Sequence, residues 1–182
     1  MRILILSLFF LPLSLWAQEY RKCPSFNKEE NWESQESFVV NQKDVQNLLE
    51  WLCSTPPSEQ LVERSTAGIF VMEWVTKNPS LRVNVEIGPY SNYLFNEDLM
   101  LGYLFGSISY ALKHEEKVKP ENQRIAGLKS LLFIVEHSET YSRNKIFRSL
   151  LRANRRGELV SFDKEIWMNE KSHALLSLEQ LK

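Results

Sequence analysis

The sequence predicts a mainly α protein, a single-domain bundle of about five to six helices with one short extended or β segment near residues 81–88. Three observations point there. Apolar residues recur at three- and four-residue spacing through most of the chain, prolines and capping residues divide that pattern into segments, and only Leu81 to Ile87 alternates with a period of two. With 182 residues, 43% of them hydrophobic, the chain can bury one good core.

Met1 to Ala17 carries one charge, Arg2, then an apolar run from Ile3 to Trp16 broken by Pro12, and it meets the polar Gln18. This is the pattern of a secretory signal peptide cleaved after Ala17, so residues 1–17 are expected to be removed and the protein to be periplasmic or secreted. The run is shorter than the roughly 20 residues of a membrane span, and no transmembrane segment is expected in the mature chain. Tyr20, Arg21 and Lys22 precede Cys23, where lipid attachment needs small and apolar residues.

Gln18 to Asn41 is polar, with Pro24 and isolated Phe26, Trp32 and Phe38, and reads as an extended arm before a helical domain over 42–168. Asn41 is the expected cap of a first helix, whose stripe is Val45, Leu48, Leu49 and Leu52 and which Thr55-Pro56-Pro57 ends. Ser58 is the expected cap of a second, with Leu61, Val62, Ile69, Phe70, Val71, Trp74 and Val75 turned inward as far as Asn78-Pro79. Leu81, Val83, Val85 and Ile87 then alternate with Arg82, Asn84 and Glu86, as in a strand. No second strand is evident, so an extended connection fits as well.

Asn96 to His114 is the longest apolar run outside the N-terminus. Asn96 can cap it, Glu97 and Asp98 suit the positive end of the helix dipole, and its apolar residues cover more than one face. A helix so patterned has neighbours on several sides. Pro120 opens the next helix, with Ile125, Ala126, Leu128, Leu131, Leu132 and Val135 inward. A further helix from about Ser142 carries Ile146, Phe147, Leu150 and Leu151; Gly157 interrupts it, and Leu159, Phe162, Ile166 and Trp167 mark a last one. Residues 169–182 prolong that helix or form a tail.

Gly102 and Gly106 lie one turn apart on one face of the central helix. Either a neighbouring helix fills that notch, or it floors a ligand pocket rimmed by Tyr103, Ser107 and Tyr110. A second candidate is cationic: Arg143, Lys145, Arg148, Arg152, Arg155 and Arg156 lie on one amphipathic helix, with Lys145, Arg148, Arg152 and Arg155 forming a stripe. Such a stripe is a solvated face or a site for an acidic protein, an envelope polymer or a membrane surface. Cys23 and Cys53 are the only cysteines, and in an oxidising compartment a bridge between them would close a loop of about 30 residues, worth roughly 3–4 kcal/mol.

Nothing specifies a chemistry. The three histidines, His114, His137 and His173, lack a second ligand at helical or turn spacing, so no metal is implied. Gly106-Ser107-Ile108-Ser109-Tyr110 lacks the second glycine of a nucleophile elbow and sits inside a helix. No catalytic residues and no cofactor are predicted, and an exported chain with a formal net charge of −1 suggests no nucleic-acid partner.

The stretches WLCSTPP, RVNVEI, LGYLFGSISYALK and PENQRIAGLKSLLFIVE together resemble small exported helical bacterial proteins of unknown function, a resemblance that implies the fold and no activity. LGYLFGSISYAL is also similar to the GY-x-x-G run of exported helical immunity proteins that inhibit toxins delivered by type VI secretion, Tyr103 and Gly106 being the matching positions. The expected function is therefore non-catalytic binding of a protein partner or an acidic envelope component. The alternatives are an immunity-type inhibitor of a secreted toxin and an enzyme whose site the sequence does not reveal.

Overall fold

The computed structural model describes residues 21–27, 32, 34–81, 83, 85–114 and 118–179. The expected cleavage after Ala17 lies outside them. The described residues form α1 (Gln35–Ser54), α2 (Leu61–Lys77), a 3-10 turn (Gly88–Tyr93), α3 (Glu97–His114), α4 (Pro120–Glu136), a single-turn α5 (Glu139–Ser142), α6 (Lys145–Arg155) and α7 (Leu159–Glu179). The mainly α expectation holds, with more helices than the five or six expected.

α3 is the wall between two cores. Phe105, Ile108 and Leu112 face a cluster built from α1 and α2, including Leu48, Leu49, Trp51, Phe70, Val71 and Trp74. Leu99 and Tyr103 face a second cluster from the 3-10 turn, α4, α6 and α7, including Tyr90, Leu128, Leu131, Phe147, Leu150 and Leu159. This is why its apolar residues cover more than one face. Asn96 caps it as expected, its Oδ1 accepting from the backbone N–H of Asp98 at 3.0 Å and of Leu99 at 3.4 Å.

The most extensive helix contact is between α3 and α4, and glycines permit it. A Cβ on Gly106 would lie 2.6 Å from both the Ala126 carbonyl oxygen and Ser130 Cβ. One on Gly102 would overlap Ile134 Cδ1, and one on Gly127 of α4 would lie 2.8 Å from the Tyr103 carbonyl oxygen. α4 therefore fills the notch, and its own glycine reciprocates. The polar pair at this crossing is also mutual, with Gln123 Nε2 donating to the Ser107 carbonyl at 3.3 Å and Ser107 Oγ to the Gln123 carbonyl at 3.4 Å.

Several expectations fail for local reasons. α1 begins six residues before Asn41 because Ser34 caps it, its Oγ accepting from Ser37 N at 3.2 Å. Asn41 is buried inside the helix, Nδ2 donating to the Ser37 carbonyl, and the arm is correspondingly shorter. Trp32 and Phe38 are core residues: Trp32 packs on Phe38 and Phe70, and the Trp74 indole donates to the Phe38 carbonyl at 3.2 Å. Gln60, at φ 47°, and not Ser58, precedes α2. Among the described residues there is no strand near 81–88, because Leu81 and Val83 pack on the first core with no second strand beside them.

Cys23 and Cys53 are not bridged. The Arg21 carbonyl accepts from the Trp51 indole at 2.7 Å and from Gln60 Nε2, which fixes the segment before Cys23 on the Trp51 side of α1. Cys53, two residues further along, projects from another side of the helix, beside Ser130 of α4, where burial pushes its thiol pKa up.

Candidate functional site

α1 packs against both α2 and α3, whereas the backbones of α2 and α3 stand further apart and meet through side chains, Phe105 reaching Gly68. Between them lies a groove of about 400 Å³, within the range of binding pockets, lined from α2 by Leu61, Arg64, Ser65, Gly68, Ile69 and Met72 and from α3 by Glu97, Asp98, Leu101 and Phe105. The α2 residues recur at helical spacing, so they form one continuous wall. Leu61 is 65% exposed and Ile69 59% exposed, although the sequence places both at inward positions. α2 has a covered face, with Ala67, Phe70, Val71 and Trp74, and an apolar face without cover.

Arg64 stiffens the closed end of the groove. Its Nη1 donates to the Leu52 and Thr55 carbonyls at 3.0 and 2.6 Å, satisfying carbonyls left open where α1 ends and placing a cation at the negative end of that helix. Glu97 and Asp98 at the other wall are exposed carboxylates and, among the described residues, make no ion pair. The groove thus has an apolar floor and an acidic edge.

A second constellation lies under the 3-10 turn. Arg124 of α4 donates through Nε and Nη2 to Asp163 Oδ2 of α7 at 2.9 and 2.8 Å, and through Nη1 to Glu86 Oε2 at 2.6 Å. Tyr90 Oη donates to Asp163 Oδ1 at 2.9 Å, the Tyr103 hydroxyl donates to the Glu86 backbone carbonyl, and the guanidinium stacks 4.5 Å from the Trp167 ring. Asp163 is fully buried. Burial first, then the Asp163 charge, pushes the Tyr90 hydroxyl pKa far up, and burial does the same to Tyr103. Trp167 also lies against Gly88, at φ +32°, where a Cβ would overlap its ring. Its charged and hydroxyl groups are paired with one another, so the cluster clamps α7 and the turn onto α4.

Sequence reasoning passed over this cluster, although one signal was present. Arg124 shares the helix face of Leu128, Leu131 and Val135, and Asp163 that of Leu159, Ile166 and Trp167. One lone charge of each sign on an apolar stripe is the signature of a buried pair, since a buried charge must be compensated. Glu86 and Tyr90 carry no comparable signal.

Of the residues singled out from sequence, Gly102 and Gly106 lie in the closed α3–α4 seam, and Tyr103 is buried on the second core. Tyr110 is apart from Tyr103: it stacks on His114 with ring centroids 4.0 Å apart and lines, with Gly106, Lys113, Lys129 and Phe133, a shallow depression over the α3–α4 seam. Arg148, Arg152 and Arg155 are exposed on α6, where Arg155 pairs with Glu136 at 3.0 Å and Arg152 Nε donates to the Arg148 carbonyl. Among the described residues, no three His, Cys, Asp or Glu side chains gather as metal ligands, and no helix is long and apolar enough to cross a membrane.

No family model, curated protein or solved structure matches the chain. The choice between sites therefore rests on their physics. In the Arg124 cluster the charged groups and hydroxyls already have partners, whereas the groove leaves apolar side chains exposed and, among the described residues, its carboxylates without an ion pair.

Proposed function

We propose that the protein is an exported, non-catalytic interaction protein that holds an apolar helical segment of a protein partner in the groove between α2 and α3. The observation that carries this reading is the exposure of Leu61 and Ile69 along a groove that also contains Met72, Leu101 and Phe105. An amphipathic helix presents anchors every three or four residues, the same period as the α2 wall. Glu97 and Asp98 favour a partner with a cation at the matching end. Export is inferred from residues 1–17. An immunity-type inhibitor of a secreted toxin is a particular form of the same reading, in which the groove takes a segment of the toxin.

A designed helical peptide with leucines at i, i+3, i+4 and i+7 and lysines at one end is the probe, titrated calorimetrically into the mature protein. Saturable binding is expected, with Leu61→Asp and Ile69→Asp each weakening it at least about tenfold while leaving stability within roughly 0.5 kcal/mol, because both side chains are exposed. Replacing the lysines of the peptide by glutamates is expected to weaken it too. Equal binding by wild type and Ile69→Asp would remove the groove from the account.

A further inference from the structure

The span Arg143 to Arg156 holds six cations and no Asp or Glu in a chain whose formal net charge is −1, so the rest of the molecule is acidic on balance. All six cationic side chains are exposed. Among the described residues, only Arg155 has an ion-pair partner, Glu136. The Arg152 Nε bond to the Arg148 carbonyl lies along the helix itself and neutralises no charge. The opposite face of α6 is already covered, since Phe147, Leu150 and Leu151 are buried in the second core.

We propose that this face of α6 docks the protein on an anionic phospholipid surface. Arginine is the cation suited to phosphate, because its planar fork donates two parallel hydrogen bonds to phosphate oxygens. The charge asymmetry orients the molecule: an anionic bilayer attracts the Arg143–Arg156 face and repels the acidic remainder. α6 does not insert, because its apolar face is committed to the core, so contact is made by the cations alone and is reversed by salt. A soluble acidic protein is the less favoured occupant, because Lys145, Arg148, Arg152 and Arg155 form an outward stripe on α6, with Arg143 and Arg156 just beyond its two ends, and no second wall encloses a chain.

Each cation brought to such a surface strengthens binding about fivefold. The test is co-sedimentation of the full mature protein with vesicles of phosphatidylcholine alone and of phosphatidylcholine mixed with phosphatidylglycerol. Binding is expected only to the mixed vesicles and is expected to disappear at high salt. R148Q/R152Q is expected to weaken it by about thirtyfold and R148E/R152E further. R155Q should weaken it less than R148Q, because Glu136 already offsets Arg155, and E136Q should strengthen it. Far-UV circular dichroism confirms that each variant is folded, and Ile69→Asp should bind the vesicles as wild type does. The proposal is overturned by equal binding to neutral and anionic vesicles, by no binding to either, by R148E/R152E binding as wild type does, or by stronger binding to soluble polyglutamate than to the mixed vesicles.

Discussion

Gly106→Ala is a small change at the position where α3 and α4 approach most tightly against backbone. Alanine is favoured over glycine in a helix interior by about 1 kcal/mol, so on an open face the variant would be more stable. Here the new methyl lies 2.6 Å from the Ala126 carbonyl oxygen and from Ser130 Cβ, and relief requires α4 to move. α4 is held on its other sides by α1, α6 and α7, so the cost falls near the top of the roughly 1–3 kcal/mol of overpacking. The net expectation is a loss of about 2 kcal/mol, or roughly 4–8 °C in Tm for a chain of this size. Gly102→Ala is the milder comparison, because its methyl clashes chiefly with the Cδ1 end of the Ile134 side chain and not with backbone, so a rotamer change relieves it and the helix gain offsets the remainder. Urea denaturation followed by circular dichroism separates the two. A Gly106→Ala protein as stable as wild type would show that Gly106 does not sit in a packed seam, and a Gly102→Ala protein less stable than Gly106→Ala would show that Ile134 cannot yield as supposed.

Asp163→Ala should cost about 3–5 kcal/mol in urea unfolding, because it leaves the Arg124 guanidinium buried without its main counter-charge. The raised pKa of Tyr90 means that the folded state keeps this proton longer than the unfolded state does. Its stabilising contribution is therefore fully present below 10.0, the ordinary tyrosine value, and is lost as pH rises from there. Urea midpoints should fall between about pH 8 and about pH 11, and less steeply in Tyr90→Phe, with the remaining slope carried in part by Tyr103. Arg64→Ala removes a charged donor from two carbonyls at the end of α1 and should lower stability by about 1–3 kcal/mol, measured in the same way.

What the sequence made legible was local. Asn96 with Glu97 and Asp98 marks the start of α3, Pro56-Pro57 separates α1 from α2, and the breadth of apolar cover on α3 announces a helix with neighbours on several sides, though not that they divide into two cores. The two glycines announce a close approach, but only the structure shows that Ile134, Ala126 and Ser130 fill it. Asn41 and Ser34 are equally good caps by residue type, and the choice follows from Trp32 and Phe38 packing on Phe70 and Trp74, contacts distant in sequence. The period-two run over Leu81 to Ile87 is a sound strand signal that nothing nearby can pair with. The groove was hidden for a different reason: Leu61 and Ile69 look like core positions, and apolar type alone does not reveal whether a neighbour arrives to cover them.

The most direct test of groove docking is site-specific photo-crosslinking in the native cell, with a photoreactive side chain at Ile69 in the groove and, separately, at Val160, which is exposed on α7. The account predicts one defined protein adduct from position 69, lost when Leu61→Asp is added, and no such adduct from position 160. The same adduct from both positions, or an adduct at 69 that survives Leu61→Asp, would contradict it.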